Sequence, residues 1–383
     1  GEKVTEVVVV GGGPIGLRVA ELTSKAGLDT VVLEEDMKIG RPIECAGLVS
    51  PRLISMTRTK SVIKKTNEAI INPPNGESLI LKATNDRAAI IDRGEFDRER
   101  EKRAVGSGAE IRLNSQVVDI EKDEKTSVIY KQEGIRKREN CKIIVGADGP
   151  NSRVRSLSGF DRPDRILPGI QAIIGEESED IEIFLGNKIA PGFFAWELPF
   201  PNGKLIGLAC NNGNVFELLN RLLKRKNYSN KVIGFLSGTI PLGKMEESVK
   251  DSIMLVGDAA CQVKPLSGGG LYTGLKSAEH CADVIIRALE KDDTSQRVLE
   301  EYHNRWQKDV GKEISKGLWL RKAYRSLSDE EIDELIDMLR NEKVKNIIEQ
   351  EGDIDYPSSL AKPVLKASPK LIKFAGPFIR NLF

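Results

Sequence analysis

Apolar runs separated by glycine turns mark the first part of the chain. Glu6 to Val10 is almost wholly apolar and β-branched, which is typical of a strand buried on both faces of a parallel sheet. A glycine-rich turn follows, and from Leu17 to Lys25 apolar residues recur at helical spacing until Gly27 ends the helix. Thr30 to Leu33 is a second apolar strand. The pattern therefore predicts a strand, a turn, a helix and a strand in that order.

The turn before the first helix carries a nucleotide-binding pattern. Gly11 to Gly16 supplies GxGxxG, in which small residues let backbone N–H groups approach a pyrophosphate at the helix N-terminus. Glu34 follows the second strand, where a carboxylate can accept hydrogen bonds from an adenosine ribose. This pattern serves NAD as well as FAD, and its parts also occur for purely structural reasons. The predicted dinucleotide ligands are Gly11, Gly13, Pro14, Ile15, Gly16, Glu34 and Glu35.

Composition limits the class of partner. The 58 Lys and Arg nearly cancel the 57 Asp and Glu, so no global field would attract nucleic acid. Five scattered cysteines without CxxC pairs, and only two histidines, predict neither a disulfide framework nor a metal site. The N-terminus has no signal-peptide features and no apolar run is long enough to span a bilayer. We therefore expect a cytoplasmic protein.

Two later segments decide between the dinucleotides. Lys142 to Val145 is a strand followed by Gly-Ala-Asp-Gly, and Ser252 to Val256 is a strand followed by Gly-Asp-Ala-Ala and, at 268–270, by three glycines. This order resembles the flavoprotein superfamily that contains aromatic hydroxylases and geranylgeranyl reductases. The resemblance implies FAD as the cofactor, bound on a Rossmann-type domain.

The resemblance also implies individual cofactor contacts. In the superfamily the Gly-Asp carboxylate, here Asp258, contacts the ribityl chain, and the glycines after it open a helix N-terminus toward the flavin. Asp148 either contacts cofactor or substrate or only forms the strand-to-helix turn. Arg93 stands at the arginine of the Arg-x-x-Phe-Asp element, and Val117 is expected to offer backbone on the adenine side. The residues implied by these motifs are Arg93, Val117, Asp148, Asp258, Gly269, Gly270 and Leu271.

A cysteine-bearing segment follows the second strand. Lys38 to Ser50 resembles the segment that passes beside the flavin in the geranylgeranyl reductase family, although Cys-Ala-Gly-Leu-Val-Ser is a shortened variant of the archaeal pattern. The resemblance implies that Arg41, Cys45 and Ala46 contact the cofactor and that Cys45 is catalytic. Without the resemblance, a lone cysteine would be interpreted as a small buried apolar residue.

The stretch from Pro191 to Pro199 suggests the substrate. It resembles the P-x-x-Y-x-W-x-F-P element that lines the prenyl channel of the family, with Phe194 at the tyrosine and Leu198 at the phenylalanine. The implied substrate-binding residues are Phe194, Trp196 and Pro199. The alternative is that these aromatic residues form the core of an antiparallel sheet, and both interpretations can hold together.

The preferred function is FAD-dependent reduction of carbon–carbon double bonds in a prenyl chain, as of a membrane lipid precursor. The alternatives are an aromatic monooxygenase with the same fold and an electron-transfer flavoprotein without its own organic substrate. The chain has no second GxGxxG and no CxxxxC redox pair. The sequence therefore does not identify the electron donor, which is either a reduced nicotinamide or a ferredoxin.

We expect a Rossmann-type FAD-binding domain interleaved with an antiparallel-sheet substrate domain and followed by a helical C-terminal region. The expected bounds are 1–70, 90–160 and 250–310 for the FAD-binding domain, 71–89 and 161–249 for the substrate domain, and 311–383 for the helical region. Lysines alternate with apolar residues from Ala361 to Phe383. That segment either lies on a membrane surface, as a peripheral contact near a lipid substrate, or forms a packed helix pair.

Overall fold

The structure is a computed structural model and describes residues 3–43 and 45–376. Its strands, in chain order, are β1 Thr5–Val10, β2 Thr30–Leu33, β3 Leu48–Val49, β4 Val62–Thr66, β5 Glu68–Asn72, β6 Leu79–Lys82, β7 Ala88–Ile91, β8 Glu110–Arg112, β9 Ser115–Lys122, β10 Thr126–Gln132, β11 Ile135–Gly146, β12 Arg165–Ile174, β13 Glu182–Phe184, β14 Ala195–Phe200, β15 Gly203–Ala209, β16 Val232–Leu242, β17 Val249–Lys250 and β18 Ile253–Leu255.

The helices, in the same order, are α1 Pro14–Lys25, α2 Pro51–Thr57, α3 Arg93–Gly106, α4 Arg153–Leu157, α5 Val215–Arg225, α6 Leu271–Glu290, α7 Gln296–Trp306, α8 Lys312–Arg325, α9 Asp329–Leu339, α10 Glu342–Glu351, α11 Ala361–Ala367 and α12 Ile372–Ala375. A 3₁₀ turn at Gly257–Ala260 follows β18, and a π-helical turn at Gln307–Gly311 joins α7 to α8.

The first sheet has the order β17-β18-β11-β1-β2-β8, and the hairpin of β9 and β10 extends it from β11. Strands β8, β2, β1, β11 and β18 run parallel. β1 is buried on both faces because the β9–β10 hairpin packs against one face and α1, α3 and α6 pack against the other. The carboxyl ends of β1, β2, β11 and β18 therefore lie at one edge of the sheet, where Rossmann-type folds bind their ligands.

The second sheet has the order β16-β12-β15-β14-β13-β5-β6, and α5 covers one of its faces. A small third sheet, β3-β7-β4, lies between the other face and the first sheet, as the contacts of Ile90 with Leu198 indicate. The expected boundary between residues 70 and 71 falls inside β5, and we propose that the crossing to the second sheet begins at Glu68. The predicted fold class, a Rossmann-type domain combined with an antiparallel sheet and C-terminal helices, is confirmed.

The C-terminal helices pack onto the outer strands of the second sheet. Leu371 and Phe374 are buried against Leu327 and Ile332. These two residues of the C-terminal segment therefore pack onto the protein, as the second of the two alternatives predicts. The rest of that segment, residues 377–383, lies outside the described residues. Within residues 3–43 and 45–376, no helix is both long enough and apolar enough to cross a membrane.

Candidate flavin site

The turn at the N-terminus of α1 combines two closely packed glycines with an open one. A Cβ on Gly11, which has φ +107°, would lie 2.1 Å from the Ala147 carbonyl oxygen. A Cβ on Gly16 would lie 2.2 Å from the Gly11 carbonyl oxygen. Gly13 has φ −72°, and apart from its neighbours in the chain no described atom lies within 4 Å of its Cβ position. Gly11 and Gly16 therefore close the turn, whereas Gly13 leaves the N-terminus of α1 accessible to a pyrophosphate.

Pro14 and Ile15 begin α1, and Ile15 joins this turn to the second flavin motif. A Cβ on Gly257 would lie 3.2 Å from the Ile15 side chain, and a Cβ on Gly274 would lie 2.7 Å from it. The beginning of α1 therefore packs directly against the 3₁₀ turn after β18 and against α6. Two motifs more than 240 residues apart in the chain share one edge of the sheet.

Glu34 lies beside the glycine turn, as its position after β2 predicts. Its Oε2 atom accepts a hydrogen bond from Gly12 N at 2.6 Å, and its Oε1 atom accepts one from Asp36 N at 2.9 Å. Burial raises the pKa of Glu34, and the two N–H groups lower it by less, so this pKa lies above its ordinary value. Glu35 is exposed and accepts a hydrogen bond from Gln116 Nε2 at 3.4 Å.

Asp258 lies at the N-terminus of α6. A Cβ on Gly270, the N-cap residue, would be 2.8 Å from Asp258 Oδ1, so only glycine leaves room for the carboxylate there. Gly270 has no side chain with which to cap the helix, and the N–H groups of a first helical turn have no acceptor within the helix itself. The structure thus brings Asp258 together with Gly269, Gly270 and Leu271, as the motifs imply.

A buried hydrogen-bond chain, which the sequence did not predict, holds the Asp258 turn. Gly257 N donates to Gln262 Oε1 at 2.6 Å, Gln262 Nε2 donates to Tyr302 OH at 2.9 Å, and Tyr302 OH donates to Leu255 O at 2.6 Å. Tyr302 comes from α7 and is fully buried. These three hydrogen bonds therefore hold the turn in place from its buried side.

Asp148 serves the local structure in this conformation. Its carboxylate accepts hydrogen bonds from Ser152 Oγ, from Arg153 N at 2.8 Å and from Val154 N at 3.1 Å, which caps α4. The turn role that the sequence allowed is therefore present, and a cofactor contact by Asp148 stays a prediction. Val117 is buried in β9, and its carbonyl oxygen accepts a hydrogen bond from Arg153 Nη1 at 3.4 Å.

Cys45 and Arg93, predicted from separate motifs, lie side by side. Arg93 Nε donates to Asp97 Oδ1 at 3.0 Å, and the Cys45 sulfur interacts with the same guanidinium. Burial lowers the pKa of Arg93, but Asp97 and Cys45 raise it by more, so this pKa lies above its ordinary value and the group is charged. Cys45 is half-exposed and accepts a hydrogen bond from Gly47 N at 3.4 Å.

The aromatic residues of the Pro191–Pro199 stretch form a strip against the glycine triplet 268–270. We call Phe193, Phe194 and Trp196 the aromatic strip. Phe193 stacks on Phe194 with ring centroids 4.5 Å apart, and Phe194 meets Trp196 edge-on at 5.7 Å. A Cβ on Gly268 would lie 3.3 Å from the Phe193 ring, so the strip touches the turn that leads into α6.

Trp196 is fixed by a partner that the sequence did not predict. Trp196 Nε1 donates to Gln171 Oε1 at 2.9 Å across Gly207, whose missing side chain leaves room for both. Strand alternation places Pro199 on the opposite face of β14, with Ala195 and away from Trp196. The three predicted substrate residues therefore do not share one surface.

A cavity of about 400 Å³ opens between the second sheet and the segment that contains Arg41. One wall is apolar and the other carries guanidinium and carboxylate groups. Its lining residues are Arg41, Pro42, Ile43, Asp92, Gly94, Arg98, Ile173, Phe200, Pro201 and Leu236. This volume is within the range of about 300–1,000 Å³ that is usual for ligand sites. Ala46, four residues after Pro42, packs against the Leu198 cluster at the same interface.

The chain's own groups fit FAD. The open Gly13 at the α1 N-terminus suits a pyrophosphate, and Glu34 lies at the end of the second strand. Asp258 together with the glycine N-cap of α6 suits the ribityl chain and the flavin ring. Each part was predicted from sequence, and the fold gathers them along one edge of the first sheet.

Comparison with known proteins agrees with this site. Residues 4–168 match the family model described as an FAD binding domain. The chain is 32% identical over 380 residues to an uncharacterized protein of Methanocaldococcus jannaschii, an alignment that covers 94% of this chain and 95% of the relative. It is 29% identical over 370 residues to the digeranylgeranylglycerophospholipid reductase of Methanothrix thermoacetophila, covering 89% and 93%. The chain belongs to the geranylgeranyl reductase family.

The fold of this geranylgeranyl reductase family member matches a solved structure over its whole length. That structure, a geranylgeranyl bacteriochlorophyll reductase-like protein from Thermoplasma acidophilum, superimposes with a TM-score of 0.87 at 22% identity and covers 100% of both chains. This likeness shows the fold, and the FAD binding domain model together with the reductase relatives confirms the prediction of an FAD-dependent oxidoreductase. The individual ligand residues stay predictions, which the substitutions below test.

Replacing Cys45 by serine should leave FAD bound but slow turnover. Serine keeps the size of the side chain, whereas it loses the polarisable sulfur beside the Arg93 guanidinium. We expect turnover to fall by about 10-fold, a change of roughly 1.4 kcal/mol in the barrier. Flavin content and steady-state turnover measured on the same preparations check this. Cys210→Ser, at a buried cysteine that packs beneath α5, is the matched control. Equal turnover rates for the two variants would show that Cys45 has only a structural role.

Proposed function

We propose that this chain uses FAD to reduce carbon–carbon double bonds of a geranylgeranyl chain in a membrane lipid precursor. The observation that carries the proposal is the contact of the aromatic strip with Gly268, next to the predicted flavin-binding residues at the α6 N-terminus. The names of the archaeal relatives support the same substrate class. Phe193 is buried, so an apolar chain would lie along Phe194 and Trp196, the half-buried rings of the strip, and approach the flavin site from there.

Bound FAD would supply hydride to one carbon of the double bond when reduced. The protein itself would hold the apolar substrate in a site that excludes water, with the polar groups of that site hydrogen-bonded to one another. Trp196 donates its only side-chain N–H group to Gln171 Oε1, so the indole N–H is satisfied within the sheet. The surface that remains is aromatic and apolar, which suits a prenyl chain better than a phenolic acid.

The cavity beside Arg41 supports an amphiphilic substrate. Ile173, Phe200 and Leu236 form its apolar wall, whereas Arg41 and Arg98 lie on the opposite wall. A prenyl lipid precursor has an apolar chain and an anionic head group, and guanidinium groups bind phosphate well. The cavity therefore offers matching groups for both ends of such a molecule.

The proposal is tested with chemically reduced protein kept free of oxygen. Addition of a geranylgeranyl phospholipid should restore the absorbance of oxidised FAD in stoichiometric amounts, because the lipid accepts the electrons. Squalane, which has no double bond, is the control and should leave the flavin reduced. Reoxidation that requires oxygen and an aromatic substrate, with no response to the lipid, would support the aromatic monooxygenase instead.

A further inference from the structure

Lys264 lies at the base of the glycine triplet 268–270. Its backbone N donates to Gly269 O at 3.0 Å, and its carbonyl oxygen accepts from Gly268 N at 2.8 Å. These two bonds close a tight loop that fixes Lys264 against the turn leading into α6. A Cβ on Gly269 would lie 3.7 Å from Lys264 Nζ, so the end of the side chain reaches the triplet as well.

The ammonium group of Lys264 is buried and has defined acceptors. Lys264 Nζ donates to Ile354 O at 2.6 Å and to Asp355 Oδ1 at 3.4 Å. Burial lowers the pKa of Lys264, and Asp355 offsets part of this change. Burying an ammonium, even beside a carboxylate partner, carries a desolvation cost.

Asp355 reaches Lys264 from the segment after α10. Its side chain is 2% exposed and also accepts hydrogen bonds from Ser50 Oγ and from Arg52 Nη1, the latter at 3.1 Å. The three nearest atoms to a Cβ on Gly269 belong to Lys264 and Ser267, so the ammonium lies nearer to the triplet than the carboxylate does. The pair therefore presents its positive end to the predicted flavin-binding loop.

We propose that Lys264 raises the reduction potential of bound FAD and that Asp355 limits the size of this effect. The reduced flavin carries more negative charge than the oxidised flavin, and a fixed positive charge in a buried site stabilises that form. The N-terminus of α6 acts in the same direction through its dipole. The role concerns the cofactor alone and does not depend on which substrate the enzyme reduces.

The two residues of the pair make opposite predictions. Lys264→Met removes the positive charge and should lower the potential, whereas Asp355→Asn removes the opposing carboxylate and should raise it. We expect each change to alter the equilibrium constant for two-electron reduction by about 10-fold, which corresponds to about 30 mV. Lys264→Arg keeps the charge and should shift the potential far less than Lys264→Met does.

The measurement is equilibration of the FAD-loaded variants with a reference dye of known potential, followed by absorbance. Lys264→Gln, which keeps a donor for Ile354 O, replaces Lys264→Met if the latter does not retain FAD. Exposed Lys322→Met on α8 is the matched control and should leave the potential unchanged. Shifts of equal sign in Lys264→Met and Asp355→Asn indicate a general disturbance of the site and would overturn the proposal, as would no shift in either.

Discussion

Replacing Gly13 by alanine should leave the chain folded and remove most of its FAD. The backbone at Gly13 has φ −72°, which alanine adopts freely, and apart from its neighbours in the chain no described atom lies within 4 Å of the new Cβ. The substitution should therefore stabilise the apoprotein by about 0.4–1 kcal/mol. The same methyl group occupies the space through which the pyrophosphate approaches the α1 N-terminus, so we expect FAD affinity to fall by about 100-fold.

FAD titration of apoprotein by flavin fluorescence, together with a thermal melt, tests this expectation. Gly106→Ala is the matched control because a Cβ on Gly106, the last residue of α3, would meet no described atom within 4 Å apart from its chain neighbours and its own helix backbone. The control should bind FAD normally. Equal FAD affinities in the two variants would mean that the pyrophosphate does not lie against Gly13. The predicted position of the pyrophosphate at the α1 N-terminus would then be wrong.

Trp196→Ala should abolish most turnover while sparing the flavin. Trp196 ends the aromatic strip, and its removal opens a space beside Phe194 that water or a displaced prenyl chain can occupy. Because a displacement of about 1 Å in a reacting group can cost about 100-fold in rate, we expect kcat/KM for a geranylgeranyl lipid to fall by that factor. FAD content should change little, since Trp196 lies on the second sheet.

Trp196→Phe separates the ring from its hydrogen bond. Phenylalanine keeps the aromatic surface and loses only the bond to Gln171, a net loss of about 0.5–1.5 kcal/mol and therefore about 10-fold at most in rate. Equal losses in Trp196→Phe and Trp196→Ala, both of which lack the indole N–H, would show that the Gln171 contact, and not the apolar surface, governs the reaction. Comparison of kcat/KM across the two variants makes the distinction.

The Rossmann part of this fold could be predicted almost residue by residue. β1, α1 and β2 lie within three residues of the runs identified by apolar patterning, because β-branched runs between glycine turns leave few alternatives. The carboxyl ends of parallel strands then had to meet at one edge, which brings Glu34, Asp258 and the glycine turn together. Local pattern and topology agree in this part of the molecule.

The contacts between distant segments could not be predicted. The bond between Trp196 and Gln171 depends on the register of β12, β15 and β14, which no motif encodes. The pairing of Lys264 with Asp355 joins residues 91 positions apart and becomes visible only once the C-terminal segment is placed. Strand alternation decides on which face of β14 Pro199 lies. The motif alone gives no face, so it groups Pro199 together with Phe194 and Trp196.

The most direct test of the proposed function is mass spectrometry of a lipid after reaction with reduced, oxygen-free enzyme. We predict that a geranylgeranyl glycerophospholipid becomes heavier by two hydrogens for each double bond reduced, in amounts that match the flavin oxidised. A lipid of unchanged mass, recovered together with an aromatic compound that gains one oxygen atom when air is admitted, would contradict the reductase assignment.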